Sequence, residues 1–84
     1  MNSAQQRKLR RALRRLDYEV FIDAHRHGEA KNWCEQHFGK RWEVMGHRDG
    51  SWCVFWAGRE APTKYKFMFA EEKQRMWFTL KWMA

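Results

Sequence analysis

The strongest constraint on what this chain can fold into is a change of pattern at residue 17. Before it, Leu9, Leu13 and Leu16 recur at helical spacing. Arg7, Lys8, Arg10, Arg11, Arg14 and Arg15 occupy the rest of the circumference, with no acid in the first sixteen residues. After it, Tyr18, Val20 and Ile22 alternate with Glu19, Phe21 and Asp23, the two-residue period of a strand. The chain therefore divides into an arginine-rich amphipathic helical arm, residues 1–16, and a single small α+β domain, residues 17–84. Ser3 followed by Gln6 has the form of a capping box at the arm's start. A helix of about a dozen residues is marginal alone, so it either docks its leucine stripe or folds when a partner arrives.

Eighty-four residues support one core, and six Trp, six Phe and two Tyr supply the large side chains that fill it. A helix is expected from about Glu29 to Phe38, with Ala30, Trp33, Cys34, His37 and Phe38 along one side and Gly39 as a left-handed cap. Strands from Arg41 to His47 and from Ser51 to Ala57 follow, joined by Asp49-Gly50, a two-residue hairpin signal. Residues 58–63, with Pro62, form a loop, and Lys64 to Phe69 is a further strand. In the last segment, Glu71 to Met83, the acids at the start, Lys81 near the end and the spacing of Met76, Leu80 and Met83 favour a helix. Alternation of Phe78, Leu80 and Trp82 would also suit a strand. The expected fold is a basic N-terminal helix followed by β-α-β-β-β-α, an antiparallel-rich four-stranded sheet packed on helices.

A tight turn at Asp49-Gly50 sets residue 47 opposite 52, 45 opposite 54 and 44 opposite 55. One face then carries Trp42, Val44, Cys53, Phe55 and Ala57, joined by Tyr18, Val20, Ile22, Tyr65, Phe67 and Phe69, and is expected to be the core. The other collects Phe21, Met45, His47, Trp52, Val54, Trp56, Lys66 and Met68, fringed by Glu19, Asp23 and Glu43. It is too apolar for a solvated face and too polar for a second core. The arm's leucines could cover it, two subunits could meet there as a homodimer, a protein partner could dock on it, or bases could stack on its rings. Phe21, Met45, His47, Trp52 and Trp56 are the partner-binding candidates.

His25, His27, Cys34 and His37 are residue types that zinc accepts, but their spacing matches no standard finger, and a core-facing helix usually buries Cys as a small apolar residue. No metal or cofactor is expected. Cys34 with His37 could be read as nucleophile and base, yet no third orienting residue or oxyanion-hole loop accompanies them, and Gly-rich phosphate loops are absent. The chain is read as a non-enzyme. Two cysteines make no disulfide framework, no signal peptide is apparent, and nothing approaches the roughly 20 apolar residues of a membrane span. A cytoplasmic protein is expected.

The charge points to binding. The arm's six cations account for most of the net +7; the remaining eleven Lys/Arg and ten Asp/Glu leave the body at +1. Such a concentrated field suits an anionic partner, nucleic acid or an acidic protein surface. Arg7, Lys8, Arg10, Arg11, Arg14 and Arg15, with Lys66 from the sheet, are the nucleic-acid-binding candidates, RNA or DNA. Three leucines without an aromatic make a weak membrane anchor.

The stretch from Trp33 to Gly58, with FGKRW at 38–42 and WCVFWAG at 52–58, resembles the compact, tryptophan-rich style of small accessory proteins encoded by bacteriophages, as does FMFAEEKQRMWFTLKW at 67–82. The resemblance covers about half the chain and implies a small protein that binds phage nucleic acid or host machinery. It carries no catalytic residue. The rival function is an inhibitor or modulator that grips a host protein through the aromatic sheet face.

Overall fold

A computed structural model describes residues 16–43, 46 and 49–83. Strand β1 (Tyr18–Asp23) passes through a single 3-10 turn, Ala24–Arg26, into helix α1 (His27–Phe38). Strand β2 (Trp52–Trp56), a second 3-10 turn at Gly58–Glu60, strand β3 (Lys64–Phe69) and helix α2 (Glu72–Trp82) complete the body. The ambiguous last segment is thus a helix. Of the predicted basic helical arm, residues 1–16, only Leu16 is described, and it lies in no helix; residues 1–15 are outside the described residues.

The sheet has the order β1-β3-β2, with both outer strands antiparallel to β3. Among the described residues it has three strands rather than the expected four. Arg41, Trp42 and Glu43 form no strand, and Val44, Met45, His47 and Arg48 lie outside the described residues. The tight hairpin is also corrected, because the backbone N–H of Trp42 donates to the carbonyl of Trp52 at 2.8 Å, where the turn had set residue 47 opposite 52. Gly50 serves a different purpose from a two-residue turn. A Cβ there would lie 2.3 Å from the Trp42 nitrogen, so the residue permits close approach of two backbones.

Register across β3 fixes the faces. Tyr18, Phe69 and Trp52 lie abreast, as do Val20, Phe67 and Val54, and then Ile22, Tyr65 and Trp56. This face carries both helices. Its core is Ile22, Ala30, Cys34, Trp52, Val54, Phe67, Phe69, Phe78 and Trp82. Phe78 is its hub, with ring centroids 4.8 Å from Phe67 and 5.2 Å from Phe69. The predicted faces of β1 and β3 hold, whereas those of β2 are reversed. A hairpin fixes two strands relative to each other, but the phase of β2 is set by pairing with β3, and a shift of one residue exchanges every side chain. Cys53 and Phe55 therefore leave the expected core face, and Trp52, Val54 and Trp56 join it.

Local chemistry fixes the helix ends. Gly39 ends α1 at φ +83, a region glycine enters without strain, and its N–H donates to the carbonyl of Glu35. At the start of α2, Glu71 and Gln74 form a reciprocal capping box, and the Gln74 amide also donates to Ser51 Oγ at 2.9 Å, tying the helix to the foot of β2. The Arg26 guanidinium donates to the carbonyl of Trp82 at 3.0 Å and lies 5.2 Å from the centroid of its ring, joining the entry to α1 with the end of α2.

Candidate functional site

The outer sheet face, opposite the helices, is built from two rows. The first is Glu19, Met68 and Cys53; the second is Phe21, Lys66 and Phe55. Leu16 and Trp42 close over the first row to form a second cluster with Cys53, Met68 and Ala70. Over the second row Phe21 is half-buried and Phe55 is 38 % exposed. Lys66 stands between these rings, its ammonium 4.0 Å from the Glu19 carboxylate.

The predicted partner-binding residues scatter. Phe21 remains on the outer face. Trp52 does not, since it is fully buried among the helices with its Nε1 donating to the carbonyl of Gly39 at 2.8 Å, and it cannot anchor a partner on the outer face. Trp56 is 58 % exposed but belongs to the helix-bearing face, where its Nε1 donates to the Pro62 carbonyl. Met45 and His47 fall outside the described residues, as do Arg7, Lys8, Arg10, Arg11, Arg14 and Arg15.

Among the described residues, four cations of the body besides Lys66 stand beside carboxylates. Lys64 meets Asp23 at 2.7 Å, Arg41 meets Glu43 at 3.2 Å, Arg75 meets Glu72 at 3.3 Å and Lys73 meets Glu71 at 3.6 Å. The hydrogen bond and charge of Lys64 hold the Asp23 carboxyl below its ordinary range. These pairs are exposed and stabilise little individually. The small net charge of residues 17–84 follows from composition, eleven Lys/Arg against ten Asp/Glu.

The surface that the sequence did not single out is the outer side of α2. Met76, Trp77, Leu80 and Met83 are each half exposed or more, Leu80 at 71 %. The stripe at 76, 80 and 83 does mark a helix, but it is Gln74, Phe78 and Trp82 that face the sheet. The signal was available in composition: a segment apolar at 76, 77, 78, 80, 82 and 83 has more apolar circumference than one buried face requires. Beside it, a groove of about 570 Å3 opens between the end of α1 and the start of α2, with His37, Phe38 and Trp77 as its aromatic wall and Ser51, Lys73 and Gln74 among its polar groups. His37 and Trp77 meet at 5.0 Å, and Trp33 braces both.

The groups weighed for chemistry do not converge. Cys34 is enclosed in the core, where burial raises its thiol pKa, while His37 is exposed. His27 stacks on Tyr65 at 3.9 Å with its Nδ1 against the carbonyl of Ala24. Among the described residues no three His, Cys, Asp or Glu side chains gather as a metal would require. No described helix is long and apolar enough to cross a membrane. No protein-family model, curated protein or solved structure matches this chain.

Proposed function

We propose that this is a non-enzymatic binding protein that engages nucleic acid through Arg7, Lys8, Arg10, Arg11, Arg14 and Arg15, in the manner of a small phage accessory protein acting in a host cytoplasm. The observation that carries this reading is the separation of charge. Six cations without an acid precede a body of net +1, and five of the body's cations lie beside carboxylates. A helix built only for solubility mixes signs to gain pairs one turn apart; this segment does not. Each phosphate neutralised by a cation releases condensed counterion, so four to six contacts give a slope of log K against log salt of roughly −3 to −5.

The test is binding of the full chain to labelled single-stranded and duplex DNA and RNA across a salt series, beside a chain starting at Asp17. Micromolar binding with a steep slope, lost in the shorter chain, supports the reading. Absence of binding near physiological salt, or equal binding by both chains, overturns it.

A second reading rests on the α2 stripe. A protein partner seated on Met76, Trp77, Leu80 and Met83 would bury the largest exposed apolar side chains of that helix, in the i, i+4, i+7 arrangement that grooves and helices recognise. This moves the protein-partner surface from the sheet, where the sequence had set it, to the last helix.

A further inference from the structure

We propose that the second row of the outer sheet face, Phe21, Lys66 and Phe55, is a stacking platform for the bases of a single-stranded nucleic acid. This rests on the nucleic-acid reading above and narrows it to unpaired strands. The three residues lie abreast on β1, β3 and β2, on the face away from both helices. Phe21 and Phe55 belong to neither hydrophobic cluster, and among the described residues no ring packs against either. The sheet's other rings lie in or against the helix-side core or, for Trp56, are bonded through Nε1 to the Pro62 carbonyl. Phe21 and Phe55 are thus the rings of the sheet that neither core employs.

Spacing selects the kind of strand. Neighbouring β-strands stand about 4.8 Å apart, so Phe21 and Phe55, with β3 between them, are separated by about 9.6 Å. Bases stacked along one strand of a duplex repeat every 3.4 Å or so. Two bases seated on these rings are therefore parted from each other and from any complement, and a duplex would have to open to use the platform. Every base has a face that stacks on a ring, so the platform tolerates any sequence.

Charge identifies the occupant. Lys66 comes between the rings, where the phosphate joining two seated bases would pass, and Lys64 follows it two residues along β3 on the same face. Lys64 meets Asp23 at 2.7 Å, whereas Lys66 stands 4.0 Å from Glu19. The looser pair leaves the Lys66 ammonium for a phosphate to recruit. The cationic segment joins the body at Leu16, which is buried beside Trp42, Cys53 and Met68 on this face and not among the helices. An anionic strand drawn by those six cations thus arrives at the face that carries the two rings. A second copy is disfavoured there, since a two-fold contact would set Lys66 and the cationic segment of each chain against their own likeness.

The experiment is fluorescence anisotropy on the full chain with a labelled single strand and with the duplex of the same sequence, across a salt series. Phe21→Leu and Phe55→Leu each keep an apolar side chain and remove a stacking face. Each should weaken single-strand binding about five- to hundredfold while duplex affinity, salt slope and a cooperative melt are retained. Phe55→Tyr should bind single strands as the wild type does, and Lys66→Gln should lower the salt slope by about one. Undiminished single-strand binding in both Leu variants overturns the proposal, as does an equal loss on duplex. A wild-type dimer that dissociates in Phe55→Leu also overturns it, since a second copy would then be the occupant. Should a Leu variant fail to fold, photo-cross-linking of an iodouracil-substituted strand to the wild type decides. Adducts on Phe21 or Phe55 support the platform, and adducts confined to other residues overturn it. The two readings fail separately. Binding that is steep in salt but indifferent to the rings removes the platform alone, and ring-dependent binding without a steep slope removes the arginine reading alone.

Discussion

The indole of Trp52 is enclosed on the helix-bearing face, with its ring 6.3 Å from Phe67 and its Nε1 donating to the Gly39 carbonyl at the end of α1. Trp52→Phe keeps most of the apolar contact but removes that donor and leaves a small void, so urea unfolding should show a loss of about 1–3 kcal/mol. The two thiols give a pH signature. Burial raises both above the ordinary 9.0, Cys53 to about 11. For an acid whose folded pKa is raised, stability is intact below the unfolded value and falls as pH rises, because the unfolded chain ionises first. Thermal unfolding should therefore be flat up to about pH 8.5 and decline between pH 9 and 11, less steeply in Cys53→Ala. A decline of equal steepness in that variant would exclude the thiol as a cause. The end of α1 at Gly39 was legible because glycine follows a helical period immediately. The burial of Trp52 was not, since its direction depends on strand phase, which no local pattern records.

At the scale of elements, β1, α1, β2 and β3 are each readable from period and caps, within a residue or two of their observed ends, whereas the apolar spacing of α2 suits a helix or a strand and only its acidic start and basic end favour the helix. What failed was the hairpin. Asp49-Gly50 has the residues of a two-residue turn, yet Gly50 is required by its approach to the Trp42 backbone, and proximity of this kind leaves no trace in a local pattern. On α2 the limit is similar, since a stripe that marks a helix says nothing about which side is buried. That helix offers a clean contrast. Phe78→Ala removes the ring between Phe67 and Phe69 and should cost about 3–5 kcal/mol. Leu80→Lys changes a side chain that is 71 % exposed and should leave stability within about 0.5 kcal/mol, as urea unfolding of both variants would register. If a protein partner uses the stripe, Leu80→Lys abolishes its capture while nucleic-acid binding is retained. Loss of stability in Leu80→Lys comparable to Phe78→Ala would mean that the stripe is part of the core.

For the whole molecule, stability and binding should respond to salt in opposite degrees. The body is held by an aromatic core on one face of the sheet and a smaller cluster on the other, and its ion pairs are exposed, so screening them alters folding by a fraction of a kcal/mol each. On the proposed function the arm is the reverse case, six like charges whose contribution to binding nucleic acid would be almost wholly counterion release. Raising salt from about 0.05 M to about 0.5 M should therefore move the unfolding midpoint by no more than a few degrees while affinity for nucleic acid falls by roughly three orders of magnitude or more. Measuring both quantities in the same buffers separates the causes. A midpoint that falls in step with affinity would assign the loss of binding to unfolding of the body, and the arginines would lose their standing as its determinant. A stable midpoint beside a steep affinity slope assigns the loss to the arm, and replacing Arg7, Arg10, Arg11 and Arg14 by Gln should then flatten that slope by about three.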